Sequence, residues 1–105
     1  MSYLLLEPSS PRNVTAKSLN STAIKITWIK ALHPNGFIHY ELYKRLSEED
    51  GQKDQLVYTG TGTSHIAADL QEYVMYTFTV VSVNIRHKWK SKPVVVMETT
   101  HPAGQ

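Results

Sequence analysis

The feature that most constrains this chain is alternation of apolar and polar residues in short runs separated by turn residues. Ile24-Lys25-Ile26-Thr27-Trp28 alternates cleanly, and so does Ile38-His39-Tyr40-Glu41-Leu42. The longest run is Tyr76-Thr77-Phe78-Thr79-Val80-Val81-Ser82-Val83, with Tyr76, Phe78 and Val80 on one side and the threonines on the other. Side chains of an extended strand point alternately to its two faces, so a period of two buries one face and wets the other, as antiparallel sheets do.

The punctuation between the runs agrees. Pro8 and Pro11 bracket the start, and His33-Pro34-Asn35-Gly36 is a strong turn. Glu48-Glu49-Asp50-Gly51 is a polar loop with an Asp-Gly turn signal, and Gly60-Thr61-Gly62 ends a short run. Pro93 opens the last run, where a missing N–H is tolerable. These signals predict strands over about 12–18, 22–30, 37–46, 55–59, 63–68, 74–84 and 93–99. No segment has helical periodicity. Seven short strands in one domain's worth of chain predict an all-β fold, a seven-stranded antiparallel two-sheet sandwich. A small barrel is the competing architecture, disfavoured by the strand lengths and the lack of interior glycines. Residues 1–8 and 101–105 read as linkers around a domain at 9–100.

Composition narrows the function classes. The 105 residues are 41% hydrophobic and 19% charged, enough for a core without staples, and no run approaches a membrane span of roughly 18 apolar residues. Met1 to Pro8 has too short an apolar run and no basic flank for a signal peptide, so the chain reads as cytosolic or as a piece of a secreted or membrane protein. The absence of cysteine removes disulfides, thiolate zinc sites and cysteine nucleophiles. The net charge of +2 is concentrated in Arg86, Lys88, Lys90 and Lys92, and without them the balance is −2. A nucleic-acid binder more often spreads positive charge over a face, so no nucleic-acid partner is expected.

The positions then line up with a family, and the chain resembles a fibronectin type III domain from Ser9 to Thr100. Pro11-Arg12-Asn13-Val14 resembles the opening of its first strand, and Trp28 its core tryptophan. Pro34-Asn35-Gly36 followed by Ile38 and Tyr40 is similar to the approach to its third strand. Leu70 through Tyr76 resembles its tyrosine corner, and Asn84, Ser91, Pro93 and Thr99-Thr100 its last loop and closing strand. The Asn35-Gly36 turn and Gly60–Ser64 look most like modules in tandem arrays of large cell-surface proteins, receptor-type tyrosine phosphatases among them. The resemblance implies an immunoglobulin-like sandwich with chain ends at opposite poles and neighbouring modules of the same kind. Three departures stand out. Glu72 occupies a position that is often proline, and His87 and Trp89 stand where small residues are usual. In the fifth strand, counting back from Leu70 points His65 and Ala67 inward, while hydrophobicity chooses Ile66; a bulge would reconcile the two.

The expected core is Trp28, Tyr40, Leu70, Tyr76 and Phe78, packed with Ile24, Ile26, Leu42 and Val80, and the Tyr76 hydroxyl is expected to bond backbone near Leu70–Glu72. No catalytic, cofactor or metal site is expected. The histidines at 33, 39, 65, 87 and 101 sit in no nucleophile or zinc motif. Glu48, Glu49 and Asp50 form a solvated hairpin tip rather than a tuned acid pair. His33 and His87 fall at one pole, but no carboxylate with ligand spacing accompanies them.

The best binding candidate is the loop before the last strand, Arg86, His87, Lys88, Trp89, Lys90 and Lys92. Alternating cations around an aromatic suit acidic protein surfaces, sulfated glycans or phospholipid headgroups. The competing reading is cations kept in water on a hairpin edge, with Trp89 folded over the sheet. Trp89-Lys90-Ser91 is similar to part of the tryptophan-serine box of cytokine receptors, but the loop holds a single tryptophan. Asn13-Val14-Thr15 and Asn20-Ser21-Thr22 match the N-glycosylation acceptor pattern, with Asn20 the better exposed. His39, Glu41 and Tyr43, with Thr77, Thr79, Val81 and Val83, are expected on a solvated outer face, and no Arg-Gly-Asp tripeptide is present.

The expected function is a non-catalytic interaction and spacer module of a larger extracellular adhesion or receptor protein, itself outside the membrane. The alternative is an intracellular scaffold module of a cytoskeletal or muscle-type protein. Glycan occupancy separates the two.

Overall fold

The computed structural model describes residues 7–32, 36–48 and 53–104. Among them lie seven strands: β1 (Arg12–Ser18), β2 (Ile24–Ile29), β3 (Ile38–Leu46), β4 (Gln55–Gly60), β5 (Ser64–Ala67), β6 (Met75–Asn84) and β7 (Val94–Thr99). One sheet has the order β1-β2-β5 and the other β4-β3-β6-β7, and every pairing is antiparallel. The expected turns at 33–35 and 49–51 and the start at 1–6 lie outside the described residues.

The apolar phase of each run faces the space between the sheets. Ile24, Ile26, Trp28, Tyr40, Leu42, Ala67, Leu70, Tyr76, Phe78 and Val80 form one buried cluster. Trp28 meets Tyr40 edge-on at 5.8 Å and Tyr58 at 6.1 Å, so its indole bridges β3 and β4. Its Nε1 is buried and finds no hydrogen-bond partner among the described residues, a cost the surrounding ring contacts offset. The Tyr40 hydroxyl accepts from Ala31 N at 2.9 Å, and the Tyr76 hydroxyl accepts from Gln71 N at 2.7 Å. The second bond ties the β5–β6 corner to the core, as the sequence predicts.

Strand β5 keeps the phase that puts Ala67 inward. Its register with β2 is regular, with no bulge, and Ile66 stands 51% exposed. His65 compensates by packing its ring 5.4 Å from Tyr58. Burial holds the His65 imidazole below its ordinary range, because the charged form loses water there. Gly60 and Gly62 clasp the other end of Tyr58. Gly62 N donates to its hydroxyl at 2.9 Å, and a Cβ on either glycine would fall 2.7 Å from that oxygen.

The outer face of β6 departs from expectation. Thr77, Val81 and Val83 are buried rather than solvated, and only Thr79 is half-buried. Strand β6 is interior to a four-stranded sheet, so β3 and β7 flank it. Glu41 and Tyr43 stand opposite Val81 and Thr79, and the Thr77 hydroxyl shares a 2.6 Å bond with Ser47. Alternation thus marks two dry faces here, one apolar and one covered by long polar side chains.

Strand β1 carries a register shift between Arg12 and Thr15, with Asn13 at φ 49. Asparagine tolerates that left-handed backbone better than most residues. Ser18 N donates to the Glu98 carboxylate at 3.1 Å and Ser10 Oγ to Lys92 O at 2.8 Å, so β1 is stitched to the β7 side of the sandwich.

Candidate functional site

The β6–β7 loop is held from both ends. Asn84 is the hub at its tip: its N donates to Trp89 O, its O accepts from Lys88 N, and its Oδ1 accepts from His87 N, all at 2.8–2.9 Å. At the base, Ser82 N donates to Ser91 Oγ at 2.9 Å while Ser91 N donates to Ser82 O at 2.8 Å. Lys88 sits at φ 65. That reversal leaves His87 and Trp89 stacked at 4.1 Å between ring centroids and 14° between planes. The loop is therefore ordered before any partner arrives, which lowers the entropic cost of binding.

The structure divides the six candidates. Arg86, His87, Lys88 and Lys92 are exposed, and Trp89 is half-buried against His87. Lys90 does not belong to the free basic cluster. Its Nζ lies 3.1 Å from Glu41 Oε1 and 6.0 Å from the centre of the Tyr43 ring, over the outer sheet face. Tyr43 donates its hydroxyl to the same carboxylate at 2.6 Å. Burial opposes ionisation of Glu41, but the bonds from Tyr43 and Lys90 outweigh it and hold the carboxyl below its ordinary range. Burial and the bond to Glu41 push the Tyr43 phenol up, and the bond to Glu41 raises Lys90. Sequence reading missed this because Glu41 and Lys90 meet only through the β3–β6 pairing and the isolated Val83–Lys90 bridge.

The same pole holds apolar groups that sequence reading passed over. Phe37 is 88% exposed, and Leu32 and Ile85 are exposed as well. Ile85 N donates to Phe37 O at 3.0 Å, which brings the loops before β3 and after β6 together. A cleft of about 350 Å³ lies there, lined by Gly36, Phe37, Asn84, Ile85, Arg86 and His87. The parity of Ile38, Tyr40 and Leu42 already puts Phe37 out of phase with the core, and that signal would have found it.

Asn13 is exposed at the β1 bulge, and the hydroxyl of Thr15 shares a 2.7 Å bond with Thr27. Asn20 is exposed in the β1–β2 turn, where its Oδ1 accepts from Thr22 N at 2.9 Å. His33 lies outside the described residues, so its pairing with His87 does too. Among the described residues no three His, Asp or Glu side chains gather as metal ligands.

The two-sheet order, the inter-sheet tryptophan and the tyrosine corner define an immunoglobulin-like sandwich presenting a loop at one pole. The chain belongs to the fibronectin type III family: the family's Fibronectin type III domain model matches residues 9–97. Human usherin is 34% identical over 64 residues, 58% of this chain and 1% of usherin's length. The fibronectin type III domain of human fibronectin type III domain containing protein 3 is 26% identical, with TM-score 0.75 over 91% of this chain and 88% of that one. Domains d3–d4 of the rat CD45 extracellular region, at 16% identity, share the fold with TM-score 0.75 over 90% of this chain and 50% of that one. Titin domains A168–A170 share it at 20% identity and TM-score 0.75, over 90% of this chain and 32% of that one. The fold therefore occurs in modules of larger proteins both outside and inside the cell, and domains of this family are generally structural or interaction modules.

Proposed function

We propose that this domain is a non-catalytic interaction and spacer module of a larger extracellular adhesion or receptor protein, and that its β6–β7 loop contacts an acidic protein surface. The observation that carries the contact site is the ordered loop itself. Arg86, Lys88 and Lys92 have no carboxylate partner among the described residues, and they surround a stacked His87–Trp89 pair. Arginine and tryptophan are favoured anchors at binding surfaces. A protein partner fits better than a sulfated glycan because the neighbouring Phe37 and Ile85 offer an apolar cleft that a glycan's sulfates leave unused. The likeness to usherin and the two exposed acceptor asparagines support the extracellular placement over the cytoskeletal one.

The test compares salt elution from immobilised heparin and from an immobilised acidic peptide bearing a phenylalanine. Arg86→Gln/Lys88→Gln/Lys92→Gln is expected to elute from both at much lower salt, and Phe37→Ser to weaken only the peptide. Lys90→Gln should leave both nearly unchanged. Elution of the triple variant with the native chain overturns the contact site, and a Phe37→Ser variant that matches native on the peptide reassigns it to glycans. Retention of the full-length protein in the cytosol overturns the placement, and a glycan on Asn13 or Asn20 bears it out.

A further inference from the structure

At the pole opposite the basic loop, two neighbouring side chains carry groups that the sandwich leaves unused. Asn20 heads the triplet Asn20-Ser21-Thr22, an acceptor pattern for N-linked sugar, and is exposed in the β1–β2 turn. Its Oδ1 accepts from Thr22 N at 2.9 Å and from Thr22 Oγ1 at 3.3 Å, while its Nδ2 makes no hydrogen bond among the described residues. The turn thus employs the carboxamide oxygen and leaves free the nitrogen, the atom that carries a sugar. Tyr73, in the β5–β6 corner, has φ 54, a left-handed backbone that bulky residues rarely adopt. Yet Tyr73 is 70% exposed, and its ring and hydroxyl make no ring contact or hydrogen bond among the described residues. Strain kept at a residue whose side chain serves nothing inside the fold points to a use outside it.

Backbone bonds hold these two residues in a fixed relation. Leu70 N donates to Thr22 O at 3.0 Å, which fastens the turn to the corner. His101 then bridges them: its N donates to Asn20 O at 3.2 Å, and its O accepts from Tyr73 N at 3.1 Å. Buried Thr100 anchors that bridge, with its N donating to Val74 O at 3.0 Å and its Oγ1 to Gln71 O at 2.7 Å. A single residue therefore spans the gap between the acceptor and the ring, and a first sugar on Asn20 begins within reach of Tyr73 without any change of backbone. Asn13, the other acceptor asparagine, stands at the far end of β1, about 20 Å along the strand, so a first sugar there does not meet this ring.

We infer that Asn20 carries an N-linked glycan and that the Tyr73 ring packs against its first N-acetylglucosamine. This rests on the extracellular placement proposed above. In the transfer, the Asn20 nitrogen attacks the anomeric carbon of an oligosaccharide carried on a lipid diphosphate. The carbon–nitrogen bond forms as the carbon–oxygen bond to the diphosphate breaks, an amide proton is lost, and the lipid diphosphate leaves with the bonding pair. The sugar costs the turn nothing, because both bonds from Thr22 go to the oxygen. A pyranose face is a sheet of electropositive C–H groups, and the face of an aromatic ring is negative, so the two attract as they cover apolar surface. The sugar gives the exposed ring its partner, and the strained backbone holds that ring in place.

The experiment secretes the chain with Asn13→Gln, so that one acceptor remains, behind a heterologous leader from cells that make only high-mannose glycans. Endoglycosidase H then trims any glycan to a single N-acetylglucosamine. Intact mass is expected to show that sugar, and Asn20→Gln to lose it. Against the same chain made without sugar, the glycosylated one should unfold roughly 2–4 °C higher, and the ring protons of the sugar should shift upfield. Tyr73→Phe, which keeps the ring, retains both effects. Tyr73→Asn, which tolerates the left-handed backbone but removes the ring, abolishes both while the sugar stays attached. A chain secreted without sugar on Asn20 overturns the site, and an attached sugar that moves neither the midpoint nor its own resonances overturns the role of Tyr73. Either failure leaves the extracellular placement standing, whereas retention of the natural full-length protein in the cytosol overturns both readings.

Discussion

Replacing Trp28 tests the core and an unsatisfied polar group within it together. The indole is 4% exposed and bridges the sheets through Tyr40 and Tyr58. Burying an aromatic of this size removes roughly 150–250 Å² from water, or about 4–6 kcal/mol at about 25 cal/mol per Å². Denatured chains already hide part of that area, so Trp28→Ala should cost about 3–5 kcal/mol. Trp28→Phe behaves differently. It keeps a ring between Tyr40 and Tyr58 and removes an N–H that is buried without a partner among the described residues. Relief of that unsatisfied group, about 1–3 kcal/mol, opposes the loss of packing, and the net cost should be only about 1–2 kcal/mol. Urea unfolding followed by far-ultraviolet circular dichroism reads both. With a slope of about 1.5–2 kcal/mol per molar urea, the alanine variant's midpoint drops by roughly 2–3 M and the phenylalanine variant's by about 1 M or less. Equal losses would refute the reasoning about the indole nitrogen, and an unchanged midpoint for Trp28→Ala would refute the core assignment.

Two further outcomes are expected. Tyr76→Phe loses the bond from Gln71 N but keeps the ring, so it should cost about 1–2 kcal/mol by the same unfolding assay, less than Trp28→Ala; a neutral result would mean the corner holds without that bond. Glu41 titrates below its ordinary 4.5 when folded, so its contribution is complete above that value and fades as pH falls through the lower folded one. Lys90 titrates above its ordinary 10.5, so its share is complete below that value and fades as pH rises through the higher folded one. The gap in melting temperature between the native chain and Glu41→Gln should therefore be widest between these limits and close at either end, and a gap that persists in strong acid would contradict the pairing.

Local chemistry made most of the architecture legible. Alternation in 24–28, 38–42 and 76–83 set the strands and their phase, and turn residues set the breaks. The phase of β5 needed a longer argument, because Ile66 is more apolar than His65 or Ala67; only the regular pairing of Ile24 with Ala67 resolves it. What the sequence hid depends on neighbours far along the chain. Val81 and Val83 are covered because β3 flanks them on one side and the chain at Lys90 and Ser91 on the other. Lys90 reads as one of four loop cations, yet a carboxylate 49 residues earlier claims it. The Phe37 and Ile85 cleft requires two loops to meet, and the backbone of Tyr73 has no signature in residue type.

The β1 bulge has a mechanical consequence. Strand β1 begins at the pole of the basic loop, and the chain leaves β7 at the opposite pole, so tension between the two ends loads β1 against β2 and β7 against β6 lengthwise. Bonds pulled along the strand direction share the force and must fail together. The shifted register at Asn13 interrupts that sharing at the end of β1 where the pull arrives. Under stretching, rupture begins with Arg12 parting from Ile29, and the Thr15–Ser18 pairs then bear the load. The force at which the domain yields is set by that short remaining ladder rather than by the equilibrium stability of the core.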